Sequence, residues 1–191
     1  MGKLFAVVGM CGSGKSVACD VLRELGWEYF RFGQLTIDRL KAEGLAITPE
    51  NEKEMREKLR KEHGMGAFAL LCLPRIEASL KKRSVIIDGL YSWSEYKILK
   101  EKFGEMLEVV HICASPKTRY LRLENRVHQK ADREHRMRAL SPSEAIKRDY
   151  AEIENIEKGG PIAMADTTII NEESLASLEA RIAELATAKT G

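Results

Sequence analysis

Cysteine is scarce in this 191-residue chain, and the four present show no metal-binding pattern. Cys11, Cys19, Cys72 and Cys113 form no C-x-x-C pair and stand mostly among apolar neighbours. That excludes a disulfide framework and a zinc ribbon and predicts reduced thiols. An excess of either charge is lacking too. The 31 Lys+Arg face 29 Asp+Glu, a net charge of +2, so a nucleic-acid or membrane role would need a local patch. No apolar run approaches the roughly 20 residues that span a bilayer, and no signal peptide precedes the first strand. A cytoplasmic protein with no membrane partner is expected. The guanine-switch signatures N-K-x-D and D-x-x-G are absent, and the chain is too short to add the helical domain of a large mechanochemical ATPase. With no repeat, low-complexity stretch or clear linker, residues 1–191 read as a single domain, 44% hydrophobic and long enough for a substantial core.

What is present is a phosphate-binding pattern. Gly9-Met10-Cys11-Gly12-Ser13-Gly14-Lys15-Ser16 matches G-x-x-x-x-G-K-[ST]. The run Lys3–Val8 before it reads as a buried strand. Ser16 to Leu25 after it carries Val17, Val21, Leu22 and Leu25 at helical period. Strand, glycine loop and helix in that order let successive backbone N–H groups and the helix N-terminus surround an anion. Gly9, Cys11, Gly12, Ser13, Gly14, Lys15, Ser16 and Val17 are therefore the expected donor-nucleotide residues. Lys15 is expected on the β- and γ-phosphates, and Ser16 on Mg²⁺.

Short apolar strands then alternate with helical stretches, which predicts a parallel sheet covered on both faces, a three-layer α/β/α fold. Further strands are expected at Glu28–Phe32, Ser84–Gly89, Leu107–Cys113 and Thr168–Ile170. Thr48-Pro49 starts a helix over Glu50–Glu62 with few apolar positions and several Glu-to-basic pairs, among them Glu52/Arg56. It reads as a solvated helix in a mobile insertion spanning about residues 33–82. His63-Gly64-Met65-Gly66 ends it, and a second helix runs to about Lys82 through Pro74. Ser115-Pro116 opens a later helix, and Ser141-Pro142-Ser143-Glu144 is a capping box opening another. The buried side of that helix is expected at Ile146, Tyr150 and Ile153. The closing helix packs through Leu175, Leu178, Ile182 and Leu185.

In an open α/β sheet, ligands bind beyond the carboxyl ends of the strands. Asp88 ends a strand there, where an acid ligates Mg²⁺ or its bound water; a turn cap for the segment near Ser92 is the plainer alternative. Arg119, Arg122 and Arg126 share one helical face, Arg133, Arg136 and Arg138 follow in a polar stretch, and Arg148 lies on the next helix. Together they suit an Arg-rich lid over about residues 119–148 whose guanidinium groups stabilise a transferring phosphoryl group. Glu124, Asp132 and Glu134, interleaved among them, argue against a nucleic-acid partner.

These features together resemble the P-loop kinases of small molecules, the nucleoside monophosphate kinases and dephospho-coenzyme A kinases, over nearly the whole chain. Arg122-Leu123-Glu124-Asn125-Arg126, followed by Ser141 to Arg148, resembles the lid of dephospho-coenzyme A kinases. Ala165 to Asn171, with Leu175 and Leu178, is similar to their closing strand and helix. Phe32-Gly33-Gln34-Leu35 and Ile87-Asp88-Gly89 resemble the acceptor turn and third strand of adenylate kinase. The chain as a whole is similar to a group of adenylate-kinase-related proteins, many of them archaeal.

The resemblance implies a nucleoside-monophosphate-kinase-like fold and ATP and Mg²⁺ as cofactors. It implies a γ-phosphoryl transfer to a small-molecule acceptor, nucleotide-like or a coenzyme A precursor. Lys15, Asp88, Arg122, Arg126 and Arg148 become the expected catalytic residues, with Ser16 and Asp88 at the metal. Phe32, Gln34, Asp38, Arg39, Tyr91 and Trp93 are the expected acceptor pocket, Asp38 being a reserve base to Asp88. Ile37 and Ser92 stand where adenylate kinases carry acceptor-binding arginines, which predicts a poor fit for AMP. A nucleotide-dependent regulatory ATPase and a kinase of nucleic-acid ends are the alternative functions. Monomer and homo-oligomer are equally compatible with the sequence.

Overall fold

Leu4–Val8, an unbroken apolar run, is buried along its whole length and forms the central strand, β1. The computed structural model describes residues 2–126 and 139–188. Strands β2 (Glu28–Arg31), β3 (Val85–Asp88), β4 (Leu107–Cys113) and β5 (Thr167–Ile170) join β1 in the order β2-β3-β1-β4-β5, every pair parallel. Leu4, Ala6 and Val8 face one way, into a core built with α3 (Pro49–His63), α4 (Ala67–Leu80) and α5 (Trp93–Phe103). Phe5 and Val7 face the other way, against α1 (Lys15–Glu24) and α9 (Leu175–Ala188). The period-two alternation of one strand thus supplies both interfaces of a three-layer α/β/α fold with a central parallel sheet.

The expected strands and caps sit within a residue or two of the observed ones. Thr48 and Ser115 cap α3 and α6 (Pro116–Glu124), and Ser141 with Glu144 forms a capping box on α7 (Pro142–Glu154). The segment 33–82 holds α2 (Gln34–Ala42), α3 and α4, but α3 is less solvated than its composition predicts. Met55 and Leu59 are buried in the core and tie it down, which fixes the direction in which its charged faces point.

The face of α7 is the clearest correction. Ile146, Tyr150 and Ile153 are exposed, Tyr150 at 62%, and the buried side is Ala145, Asp149 and Glu152. The helix packs against a cationic neighbourhood, and two paired carboxylates satisfy those cations where aliphatic side chains would leave them unpaired. Arg119, expected in the lid, is buried beneath the phosphate loop for the same reason. Arg133, Arg136 and Arg138 lie outside the described residues.

Candidate functional site

The phosphate loop joins β1 to α1 at the carboxyl edge of the sheet. Gly14, the residue before α1, is left-handed (φ 109°), and a Cβ there would collide with the side-chain nitrogen of Asn171. That nitrogen donates to the carbonyl of Ser13 at 2.8 Å, fastening the loop to the segment after β5. Lys15 Nζ donates to the Met10 carbonyl at 3.0 Å, so its ammonium curls back over the loop. His111 on β4 has its pKa held below the usual 6.5 by burial and then by the charge of Lys15. From α6, Arg119 donates to the Cys11 carbonyl at 3.0 Å and grips Asp149 of α7 with both arms of its fork.

A cavity of about 780 Å³ opens over this loop and runs toward α2 and α3. Of the residues expected in the site, Cys11, Gly12, Gly14, Lys15, Ser16, Val17, Asp88, Tyr91, Arg122, Arg126 and Arg148 line it. Gly9 and Ser13 belong to the loop but not to the cavity wall, and the Ser13 hydroxyl is buried. The expected acceptor pocket is largely placed elsewhere. Phe32 is in the core, and Trp93 stacks on Tyr96 at 5.1 Å and packs against Gly160. Gln34 donates to Asp38 at 2.9 Å outside the cavity, and Asp38 and Arg39 are exposed. Large aromatic surface draws Phe32 and Trp93 inward, while Asp38 and Arg39 occupy the solvated side of α2.

In their place the structure brings three arginines that sequence reasoning did not assign: Arg31 at the end of β2, and Arg56 and Arg60 on α3. Arg31 stands in register with Asp88 across β2 and β3. Arg56 and Arg60 are one turn apart beside the buried Met55 and Leu59, and that spacing is the signal that could have found them. Ile37 does line the cavity, and Ser92 is buried as the cap of α5. Positions 37 and 92 carry no arginine, yet β2 and α3 bring three to the cavity, so its end toward α2 and α3 is cationic.

Among the described lining residues, seven cations (Lys15, Arg31, Arg56, Arg60, Arg122, Arg126, Arg148) face four carboxylates (Glu52, Asp88, Glu152, Glu173). This near-neutral protein thus concentrates positive charge in one cavity, which favours an anionic ligand. Two guanidinium nitrogens sharpen the point. Nη1 of Arg122 and Nε of Arg60 are buried with no hydrogen-bond partner among the described residues. Burial lowers the pKa of Arg60 from its usual 12.5. A buried unpaired donor costs about 1–3 kcal/mol, a cost that an anion beside it removes.

No three His, Cys, Asp or Glu side chains gather as a metal-binding group among the described residues. Mg²⁺ does not need one, because with nucleotides it takes one or two protein oxygens plus phosphates and water. Ser16 and Asp88 fit that pattern, since both line the cavity. The Tyr29 hydroxyl donates to Asp88 Oδ2 at 2.7 Å and fixes the carboxylate.

A family model described as an AAA domain matches residues 6–157. The chain belongs to that family. Relatives extend the match over the remainder. A UPF0200 protein of Hyperthermus butylicus is 32% identical over 191 residues, covering 98% of this chain and 95% of that one. A UPF0200 protein of Pyrococcus furiosus is 33% identical over 184 residues, covering 95% of each. Among solved structures, a shikimate kinase from Acinetobacter baumannii in complex with shikimate superposes with a TM-score of 0.60 at 18% identity, covering 100% of this chain and 96% of that one. A gluconokinase from Sinorhizobium meliloti 1021 gives 0.51 at 17% identity, covering 100% and 98%. At these identities the likeness carries the fold, that of the small-molecule P-loop kinases. No helix among the described residues is long and apolar enough to cross a membrane.

Proposed function

We propose that the protein is an ATP-dependent phosphotransferase whose acceptor is a small anionic molecule, nucleotide-like or a coenzyme A precursor. One observation carries the reading. A single cavity joins the phosphate loop to Arg31, Arg56 and Arg60, with one buried guanidinium donor on α6 and another on α3 that have no partner among the described residues. Donor phosphates would lie on the loop amides and Lys15. Ser16 and Asp88 would hold Mg²⁺, which would supply neutralisation of the negative charge on the donor phosphates. An acceptor oxygen attacks the γ-phosphorus, the bond from that phosphorus to the bridging oxygen breaks, and ADP leaves. Arg122, Arg126 and Arg148 stabilise charge on the equatorial oxygens. The arginines of β2 and α3 hold the acceptor's anionic group and set its distance from the donor. A phosphate acceptor attacks as its anion; a hydroxyl acceptor gives its proton to Asp88.

The test is ADP release from ATP·Mg²⁺ with nucleoside monophosphates, nucleosides, dephospho-coenzyme A and hydroxy acids, each checked for the phosphorylated product. Release that depends on one acceptor class and yields its phosphorylated form supports the reading. Release at the same rate without acceptor, and no phosphorylated product, points instead to a regulatory ATPase.

A further inference from the structure

Two charges of the cavity wall, Arg148 and Glu152, are joined to a third that lies behind it. Arg148 lines the cavity from α7, and its Nε donates to Glu152 Oε1 at 3.0 Å, one turn along the helix. The other oxygen of Glu152 accepts from Lys158 Nζ. Lys158 is 1% exposed and does not reach the cavity. Its backbone N–H donates to the Glu152 carbonyl at 3.2 Å, so the chain doubles back under α7 before the short helix α8 (Gly159–Ala163). The turn that brings it there contains Glu157 at φ 55°, the only non-glycine residue with positive φ among those described. A strained turn that buries an ammonium beneath a cavity arginine asks for a purpose beyond packing.

The surroundings of Lys158 define that purpose. Its ammonium lies 4.8 Å from the ring centroid of Tyr91, which walls the cavity. Burial, and then the nearby charge of Lys15, bring its pKa down to about 8, against the attraction of Glu152. Burial would raise the Glu152 carboxyl, but Lys158 and then Arg148 hold it at about 2. Glu152 is thus an anion at every ordinary pH, shared between a buried cation and a cavity cation. Without this shared anion, Arg148 on its exposed helix face would sample many rotamers, and ordering it would cost binding free energy.

We infer that Glu152 and Lys158 are positioning residues for Arg148, holding its guanidinium at the place where it meets the γ-phosphoryl group. The inference rests on the phosphotransferase reading and deepens it. It needs no knowledge of the acceptor, because the γ-phosphoryl group arrives with the donor.

Calorimetry with a non-hydrolysable ATP analogue and with ADP, each with Mg²⁺, tests it. Wild type should prefer the ATP analogue, and Arg148→Ala should lower that preference about tenfold to a hundredfold, the value of one charge-assisted contact. Lys158→Met and Glu152→Gln should reproduce that loss, Lys158→Met with ADP affinity held within about twofold, and Lys158→Arg should retain the preference. Arg148→Ala combined with Lys158→Met should lose no more than Arg148→Ala alone, since the lysine acts through the arginine. A folded Lys158→Met or Glu152→Gln protein with the wild-type preference overturns the inference. So does an equal loss of ADP and ATP-analogue binding, which marks a structural role, or an additive double mutant. Glu152→Gln keeps shape and volume, so the question stays answerable if Lys158→Met fails to fold. Wild type that binds neither nucleotide would overturn the phosphotransferase reading itself, and this inference with it. A wild type that binds both but whose variants behave as wild type overturns this inference alone.

Discussion

Arg119 and Asp149 form a two-pronged ion pair, Nη1 to Oδ1 at 3.0 Å and Nη2 to Oδ2 at 2.7 Å, with side-chain exposures of 5% and 7%. The same arginine donates to the carbonyls of Cys11 and Ala114, and the Tyr120 hydroxyl donates to Asp149 at 2.9 Å. One guanidinium therefore fastens α6, α7 and the phosphate loop together. Asp149→Ala should lower stability by about 3–5 kcal/mol, because it leaves that guanidinium buried without its anion. The double variant Arg119→Met, Asp149→Leu should recover a large part of the loss, having no unpaired charge to bury. Urea unfolding of the three proteins checks this; equal stability of Asp149→Ala and wild type would show that the pair contributes nothing.

Among the described residues the Lys15 side chain makes one hydrogen bond, to a loop carbonyl, so its removal should cost the fold no more than about 1 kcal/mol. Its loss should be felt at the donor phosphates. Lys15→Ala should weaken ATP binding or turnover by roughly two powers of ten or more, since several charge-assisted contacts of about 1.5–3 kcal/mol each are at stake. A folded Lys15→Ala protein with wild-type ATP affinity and turnover would remove Lys15 from the donor site.

The acceptor end gives a separable outcome. Arg56→Gln and Arg60→Met keep much of the aliphatic stems of these side chains while removing their charge, and the Arg60 guanidinium also lies 5.5 Å from the Phe68 ring centroid. Each should raise the acceptor KM about tenfold to a hundredfold while leaving ATP affinity nearly unchanged. Steady-state kinetics with the acceptor identified by the ADP-release screen measures both. A change confined to ATP affinity would reverse the assignment of the two ends of the cavity.

How much of this was legible in the sequence depends on how local each signal is. The phosphate loop, the five strands and the caps at Thr48, Ser115 and Ser141 are written in a few adjacent residues, and each stands within a residue or two of its expected place. The face that a helix buries is not local. Ile146, Tyr150 and Ile153 form an apolar stripe that predicts burial, yet the partner of α7 is a buried arginine, and Asp149 turns inward to meet it. Arg56 reads as a solvated member of a Glu52 pair: the one-turn spacing of residues 56 and 60 beside Met55 and Leu59 marks a shared face, but α3 alone does not say that this face meets the cavity. Phe32 and Trp93 are aromatic, and such rings serve a ligand pocket or a core equally well; here they pack with the core. Lys158 carried no sequence signal at all, since its place depends on a turn that folds back under α7.

Glu95, on α5, gives the fold a pH dependence of its own. It caps α5: Oε2 accepts the backbone N–H groups of Tyr91 and Ser92, both at 2.9 Å, while Oε1 is buried with no partner among the described residues. Burial pushes its pKa up from 4.5 to about 7, against the two backbone hydrogen bonds and the charge of Arg60, which lower it. The folded state therefore holds this proton more tightly than the unfolded chain, so the stability it contributes is complete below pH 4.5 and is lost as pH rises through about 7. A shift of that size corresponds to roughly 3 kcal/mol. Glu95→Gln keeps a carbonyl oxygen for the two backbone donors and has no charge to form. Its stability relative to wild type should therefore rise by about 2–3 kcal/mol between pH 5 and pH 8. Urea unfolding of both proteins at the two pH values measures it. A difference between the proteins that stays constant across that range would show that Glu95 does not titrate there.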